Sequence, residues 1–237
     1  MSSKSRNNST AFIFILFSLQ CFATVPSWNW AHNPGGHGED WFGAMTCDAS
    51  GNTYLTGGFG SNPCYFGSFN LYNSGSADIC VAKYDVGGNV LWAKSAGSSG
   101  YEDGHAIAID ASGNVYVGGY FRSDTLVFAS DTLINPSQGD EEIFIFKYDA
   151  NGNELWAKRF GNTYHDELNA MTIDASGNVI IAGQFMASSI TLGAFTLQNP
   201  YLYSFAMFVA KSDANGNIIW AMTPGGINVA TVNSLSM

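Results

Sequence analysis

Residues 110–121 read DASGNVYVGGYF and residues 144–161 read FIFKYDANGNELWAKRFG, and both stretches recur along the chain. The turn Asp-Ala-Ser-Gly-Asn begins at Asp48, Asp110 and Asp174, with spacings of 62 and 64 residues. A second turn, Asp-x-x-Gly-Asn, begins at Asp85, Asp149 and Asp213, with two spacings of 64 residues. A fixed period of this length indicates an array of one structural unit, which cannot bury its faces alone.

Each unit is predicted to contain four strands, which we name A, B, C and D. In the second unit they cover residues 105–109, 115–121, 143–148 and 154–159, with a more irregular stretch between B and C. The A–B and C–D links share the form Asp-x-x-Gly-Asn. The aspartate is expected to accept backbone N–H bonds two residues on, and the glycine to take the left-handed conformation that closes a bulged hairpin.

Four antiparallel strands with two apolar faces, repeated about every 64 residues, predict an all-β fold of β-propeller blades. A β-sandwich does not require such a period, and a β-solenoid requires shorter repeats. The blades are expected at about 43–95, 105–159 and 169–223 within a propeller region of 24–237. A lone outer strand is expected at 28–32 and a truncated inner strand at 233–237.

Three blades with these partial strands predict an open arc, because a propeller ring closes with about four blades or more. We therefore expect a fragment of a longer propeller. Trp30 is expected to contact the first blade only loosely, since its own A, B and C strands are missing. The bare faces at the two ends of the arc are expected to favour self-association.

Residues 1–23 have the pattern of a secretory signal peptide. Lys4 and Arg6 form a basic segment, 11–22 is apolar, and 21–23 is a small-residue cleavage site. The alternative is an N-terminal membrane anchor, for which the apolar run is short. The prediction is a protein that is secreted or held at the cell surface, with no membrane span after cleavage.

Charge argues against a nucleic-acid partner. The chain has 9 Lys plus Arg against 19 Asp plus Glu, and loss of Lys4 and Arg6 with the signal peptide changes the net charge from −10 to −12. Phosphate backbones are bound through cationic side chains that release counterions. An acidic surface of this strength repels them.

Three cysteines remain after cleavage, and each takes the place of a hydrophobic residue in the other units. Cys47 aligns with Ile109, Cys64 with Leu126 and Cys80 with Phe144, which predicts buried thiols. A disulfide between Cys64 and Cys80 stays open in an oxidising compartment. No Cys-x-x-Cys pair or Cys/His cluster indicates zinc.

Asp40, Glu102 and Asp166 hold a repeated acidic position eight residues before each Asp-Ala-Ser-Gly-Asn turn. Carboxylates repeated around an axis could bind a cation, or they could cap the loop before strand A by accepting backbone N–H bonds, which we favour. The Asp-Ala-Asn-Gly-Asn turns lack the glycine and glutamate spacing of a calcium loop. No cofactor is predicted.

No catalytic set is indicated. The histidines hold no common repeat position, since His105 aligns with Gly43 and Asn169. A quinone-dependent dehydrogenase would space Asp, Gly and Trp by four and four residues, whereas Asp149, Gly152 and Trp156 are three and four apart.

The segments DASGNVYVGGYF and FIFKYDANGNELWAKRFG resemble the SBBP family of bacterial β-propeller repeats, and the resemblance covers residues 28–237. It implies a secreted or surface protein, of a kind common in Bacteroidota, often followed by a C-terminal sorting domain. The family has no agreed activity, so it implies no catalytic residues.

The predicted function is a non-enzymatic extracellular module that acts as a scaffold for protein or glycan binding. The alternative is a secreted hydrolase or lyase of propeller fold that acts on polysaccharide with acidic residues on one rim.

Overall fold

The structure is a computed structural model that describes residues 29–137, 139–201, 204–224 and 234–235. Blade 1 contains β1 (Asp40–Cys47), β2 (Thr53–Phe59), β3 (Cys64–Phe66), β4 (Phe69–Leu71), β5 (Asp78–Tyr84) and β6 (Val90–Ala96). Blade 2 contains β7 (Glu102–Ile109), β8 (Val115–Phe121), β9 (Thr125–Phe128), β10 (Asp131–Ile134), β11 (Glu142–Tyr148) and β12 (Glu154–Phe160). Blade 3 contains β13 (Asp166–Ile173), β14 (Val179–Phe185), β15 (Ser189–Leu192), β16 (Phe195–Gln198), β17 (Ala206–Ser212) and β18 (Ile218–Met222).

Each blade has one four-stranded antiparallel sheet in the predicted order A, B, C, D. The sheets are β1-β2-β5-β6, β7-β8-β11-β12 and β13-β14-β17-β18. The described residues contain no helix. The all-β, propeller-like fold with an open arrangement of three blades is therefore confirmed.

The stretch between strands B and C is more regular than the sequence indicated. In every blade it forms a two-stranded hairpin: β3 with β4, β9 with β10, and β15 with β16. Its two-residue loop begins with a residue at positive φ: Gly67 at 59°, Ala129 at 52° and Gly193 at 61°. Such short loops match the twist of the paired strands. The strands are only three or four residues long, too short for a clear alternating pattern.

A bulge interrupts the pairing of strands A and B at one place in each blade. The register shifts between Phe42 and Ala44, between Gly104 and Ala106, and between Leu168 and Ala170. The extra residues are Gly43, His105 and Asn169. The sequence predicts that each blade begins at these residues, because a bulge breaks the alternation of side chains. In the structure, each A strand begins three residues earlier.

The Asp-x-x-Gly-Asn turns have the geometry that their sequence requires. In the first, the Asp48 carboxylate accepts the backbone N–H groups of Ser50 and Asn52 at 2.9 and 3.0 Å. The side-chain amide of Asn52 donates to the other carboxylate oxygen at 2.7 Å. Gly51 has a φ of 81°. These turns line one rim of the arc, which we call the turn rim.

The blades pack face to face. We call the face that contacts the preceding blade the leading face, and the opposite one the trailing face. Between blades 1 and 2, Ile107 of strand A packs with Tyr54, Ile79 and Val81 of blade 1. Between blades 2 and 3, Leu168 and Met171 pack with equivalent residues of blade 2. Two hydrophobic clusters of the described residues thus span the junctions, and a third lies within blade 1, around Phe59, Cys80 and Tyr84.

The predicted outer strand at 28–32 is wrong for the residues described there. Residues 29–34 form no strand, and an isolated bridge joins Gly35 to Tyr65. No described sheet offers this segment a ladder of hydrogen bonds, so it is held by Trp30 instead. Of the predicted inner strand 233–237, only Ser234 and Leu235 are described. The predicted signal peptide lies outside the described residues.

Candidate functional site

The two rims of the arc differ in composition. The turn rim repeats nearly the same sequence six times, whereas the opposite rim, where A strands begin and B strands end, differs from blade to blade. We use the name A-strand rim for this edge together with the adjoining bulges of the A strands at Gly43, His105 and Asn169, from which a cavity extends along the A strands toward the turn rim. One of its repeat positions holds Trp41, Asp103 and Glu167, and another holds Gly58, Tyr120 and Gln184. The repeated turns belong to the scaffold, so the residues that differ from blade to blade are the ones free to serve recognition.

The three A strands line a cavity of about 360 Å³ at the concave side of the arc. The bulge residues Gly43, His105 and Asn169 all line it, together with Ser234 and Leu235. The Oδ1 atom of Asn169 is buried and has no hydrogen-bond partner among the described residues. A buried amide oxygen without a partner is costly unless a ligand or water satisfies it.

Asp103 connects blade 1 to the cavity. One of its carboxylate oxygens, Oδ2, accepts the indole N–H of Trp41 at 2.7 Å and lies 3.0 Å from Nε2 of His105. The Asp103 side chain is 5% exposed, and its second oxygen, Oδ1, has no partner among the described residues. The carboxylate therefore orients the imidazole that lines the cavity.

An aromatic stack extends along the same rim. The rings of Trp41 and Tyr101 lie 5.6 Å apart at 13°, and those of Tyr101 and Tyr120 lie 6.1 Å apart at 17°. The ring of His105 meets Tyr120 edge-on at 5.0 Å. The guanidinium of Arg122 lies 5.4 Å from the centre of Tyr101. Such contacts hold the rings in fixed orientations.

Charged side chains close the rim between blades 2 and 3. Glu141 forms an ion pair with Arg122 and contacts Nδ1 of His165. The neighbouring Tyr164 is 54% exposed and has a φ of 65°, a left-handed conformation that bulky residues rarely adopt. Residues held in this conformation tend to occur at ligand contacts.

The acidic residues predicted from the sequence lie on the same rim and bind the loop before strand A. Asp40 accepts the backbone N–H of Gly36 at 2.8 Å, Glu102 that of Ser98 at 3.0 Å, and Asp166 that of Asn162 at 3.0 Å. Their pattern is that of a cap. Glu102 and Asp166 are fully buried, while Asp40 is partly exposed.

A second repeated acid, which the sequence analysis missed, faces this position across each junction. Asp78 approaches Glu102, and Glu142 approaches Asp166. The Asp166 and Glu142 oxygens each lie 2.6 Å from the point that a Cβ on Gly161 would take. The residues that align with Glu142 and Asp166 in the next repeat are Ala206 and Ala230, so the two positions change together.

Burial governs the protonation of these pairs. It raises the pKa of Asp166 to about 8, and the nearby Glu142 adds to the rise. It raises the pKa of Glu142 to about 7, against the lowering effect of Arg159, whose guanidinium lies 2.7 Å away. The pKa values of Asp78 and Glu102 are raised by burial as well. Two carboxyl groups buried together retain a proton.

Among the described residues, no group of three or more His, Cys, Asp or Glu side chains has the arrangement of a metal site. Hydrogen bonds from Asn89 hold the pKa of Asp85 below its usual range, which leaves this turn carboxylate ionised and already occupied. The cation-binding prediction for Asp40, Glu102 and Asp166 stays untested.

The cysteines are free thiols, with Cys64 and Cys80 buried in the core of blade 1 and Cys47 exposed. The prediction that all three are buried is wrong for Cys47, because no described blade covers the leading face of blade 1. Burial raises the pKa of Cys64 to about 12 and raises that of Cys80 further. Such thiols are poor nucleophiles.

The sequence analysis missed most of the A-strand rim. It took the different residues at one repeat position, such as Gly43, His105 and Asn169, as evidence against a site. The available signal was the contrast between constant turns and a variable opposite rim.

In the part of the chain that the structure describes, no helix has the length and apolar character needed to cross a membrane.

Two curated proteins are similar to part of this chain, whereas no protein-family model matches it. An uncharacterized WD repeat-containing protein of Acanthamoeba polyphaga mimivirus is 30% identical over an alignment of 124 residues that covers 46% of this chain and 9% of that protein. Regulatory protein FlaEY of Caulobacter vibrioides is 32% identical over 111 residues, 46% of this chain and 12% of that protein. The chain thus spans about a tenth of the length of these relatives. The three four-stranded sheets and this similarity together indicate that the chain is an all-β repeat protein with a propeller-like fold.

Proposed function

We propose that this chain is a binding scaffold whose A-strand rim contacts a protein or glycan ligand. One observation carries the proposal: an identical bulge in each blade holds Gly43, His105 and Asn169 at one concave cavity. A bulge re-aims its side chain. At Gly43 the position packs against blade 2, because a Cβ there would collide with the carbonyl oxygen of Gly104, so His105 and Asn169 are the residues that serve ligand contact.

The surrounding side chains have the chemistry of recognition. Trp41, Tyr101 and Tyr120 supply rigid rings, and Asn169 supplies a buried amide oxygen that has no partner among the residues the structure describes. Aromatic rings bury large area at low entropic cost, and fixed polar groups set orientation. A WD repeat-containing relative is consistent with a scaffold role.

An enzymatic role is the second candidate, and the Asp103–His105 pair beside the cavity favours it. A carboxylate that orients an imidazole is the arrangement of a general base. The paired acids Glu142 and Asp166 are poor candidates for polysaccharide cleavage, because both are fully buried. We favour non-enzymatic binding.

The test uses the purified chain on glycan and peptide arrays, with a polysaccharide hydrolysis and elimination screen in parallel. The proposal expects saturable binding without turnover. Turnover that Asp103→Asn abolishes would establish the enzymatic alternative. Absence of both binding and turnover across the arrays would count against the rim as a binding site.

We also propose that the protein acts outside the cytoplasm after removal of residues 1–23, and that the end faces of the arc mediate self-association. The first proposal rests on the basic and apolar segments of the N-terminus. N-terminal sequencing of exported protein should begin at Thr24. A mature protein that retains Met1 would contradict cleavage.

A further inference from the structure

We propose that residues 29–34 are a tethered cap on the leading face of blade 1, and that the trailing face of blade 3 in a second copy competes for the same seat. This inference rests on the proposed self-association. By seat we mean the surface that the C–D turn glycine and the last residue of strand C present to the preceding blade, and both internal junctions contain one.

At the first junction, Trp92 of strand D fills the seat on blade 2. Its ring stacks on Tyr148 at 6.0 Å and 30°, and it lies over Gly152, where a Cβ would approach within 2.8 Å. At the second junction, Trp156 also covers the turn: a Cβ on Gly216 would lie 3.0 Å from the edge of the Trp156 ring and 2.9 Å from the side chain of Lys158. One tryptophan per junction thus covers the C–D turn of the following blade.

Trp30 fills the equivalent seat on blade 1. Its ring stacks on Tyr84 at 5.7 Å and 10°, and a Cβ on Gly88 would approach it within 2.7 Å. The contact geometry matches that of Trp92, although residues 29–34 belong to no sheet. The segment therefore imitates strand D of a preceding blade.

No other described residue covers the leading face of blade 1. Phe42 is 53% exposed and Met45 is 72% exposed. The residues that align with Met45 are Ile107 and Met171, which are 6% and 7% exposed because each packs on the preceding blade. At both internal junctions, the trailing face of the preceding blade covers the apolar residue at this position.

Blade 3 offers such a face. Ile180, Met207 and Val209 are half-buried, whereas their counterparts in blade 1 are fully buried against blade 2. These counterparts are Tyr54, Ile79 and Val81. Trp220, which aligns with Trp92, is also half-buried. The face has the residue types that pack on strand A at both internal junctions.

A lysine on strand C makes the same polar contact at both internal junctions. Lys83 donates to the carbonyl of Ala150 in the next blade at 3.2 Å, and Lys147 donates to Ala214 at 3.1 Å. The equivalent Lys211 pairs instead with Asp174 of its own blade, at 2.5 Å. A C–D turn docked on blade 3 would offer Lys211 the carbonyl that its counterparts bind.

The two ends of the arc are therefore complementary in a head-to-tail sense, which yields rings or filaments. A blade 3 docked on blade 1 would bring Trp220 to the seat that Trp30 occupies. Only one indole fits over Gly88, so the cap and the second copy exclude each other.

Sedimentation velocity over a concentration series tests the competition. Trp30→Ala should strengthen self-association about tenfold or more, and the double variant with Trp220→Ala should lose that gain. A peptide of residues 29–36 added in excess should weaken the association of Trp30→Ala. Tyr72→Ala, which removes an exposed aromatic ring that follows β4 in blade 1, is the matched control and should behave as the original chain. Thermal melts followed by circular dichroism verify that each variant is folded.

The outcomes separate the two proposals. Self-association that Trp30→Ala leaves unchanged or weakens would overturn the cap and leave end-to-end association standing. A gain in Trp30→Ala that survives Trp220→Ala would overturn the assignment of blade 3 as competitor. Monomers for all variants at every concentration would overturn both.

Discussion

The indole ring of Trp92 covers Gly152 of the following blade, where a Cβ would come within 2.8 Å of the ring. Gly152 has a φ of 80° and Gly177 a φ of 79°, but a Cβ on Gly177 would meet nothing within 4 Å. The two glycines therefore share a backbone conformation and differ in the contact across a blade junction.

This pair separates backbone strain from junction packing. Gly177→Ala is expected to lower the free energy of unfolding by about 1–2 kcal/mol, the cost of a left-handed alanine. Gly152→Ala is expected to cost about 1–3 kcal/mol more, because the methyl group displaces Trp92. Urea unfolding of both variants measures the difference. Equal losses would show that the indole does not press on the turn.

The buried acid pair predicts a pH dependence. The folded pKa of Asp166, raised by burial to about 8, exceeds the unfolded value near 4. Between these limits the unfolded state releases a proton that the folded state keeps, so stability falls as pH rises from about 4 to about 8, by at most about 1.4 kcal/mol per unit. Glu142 adds to the slope up to about pH 7.

Asp166→Asn removes this proton and should make the profile shallower between pH 4 and 8, leaving the part that Glu142 contributes up to about pH 7. Chemical unfolding at a series of pH values checks the slope, with the exposed Asp124→Asn as control. A slope that Asp166→Asn leaves unchanged would place the titration elsewhere.

Lys147 links two blades through its bond to the carbonyl of Ala214 and lies 4.7 Å from the ring centre of Tyr116. Burial lowers its pKa. Lys147→Met should lower the free energy of unfolding by about 1 kcal/mol, the worth of one such bond. Lys94→Met on β6 is the control, since the Lys94 ammonium makes no hydrogen bond within the described part of the chain. Equal losses of stability in the two variants would show that the hydrogen bond from Lys147 to Ala214 does not stabilise the junction.

Trp41 donates to Asp103 across the first junction at 2.7 Å. Trp41→Phe keeps an aromatic ring beside Tyr101 but removes the donor from a buried carboxylate, which should cost about 1–3 kcal/mol. The double variant with Asp103→Asn should recover part of the loss, because a neutral amide is less costly to bury. Thermal unfolding of the cycle gives the coupling. Additive losses would contradict the hydrogen bond.

The sequence was sufficient for the scaffold because its signals are local and repeated. Asp48 and its counterparts specify turns through contacts within five residues, and Trp92 marks strand D at a fixed interval. The period then predicts the blades and the open arc. The hairpins between strands B and C were missed since strands of three or four residues show no clear period.

The site was harder to predict, because its contacts join residues that are far apart in the chain. Trp41 and Asp103 are 62 residues apart, and the acids Glu142 and Asp166 meet only across a junction. Such proximity depends on how the blades pack, which a repeat pattern does not specify. The bulge at His105 also breaks the alternation of strand A. For this reason the sequence predicted neither the true start of the strand nor that His105 faces the cavity.

The A-strand rim as the binding surface is the central claim, and affinities of matched rim variants test it most directly. With a ligand identified on the arrays, calorimetric titration would compare His105→Ala and Asn169→Ala with Val86→Ala and Asn215→Ala on the turn rim. The account predicts at least about tenfold weaker binding, or 1.4 kcal/mol, for the rim variants and unchanged binding for the turn variants. Unchanged affinity in both rim variants, or a loss confined to the turn variants, would contradict it.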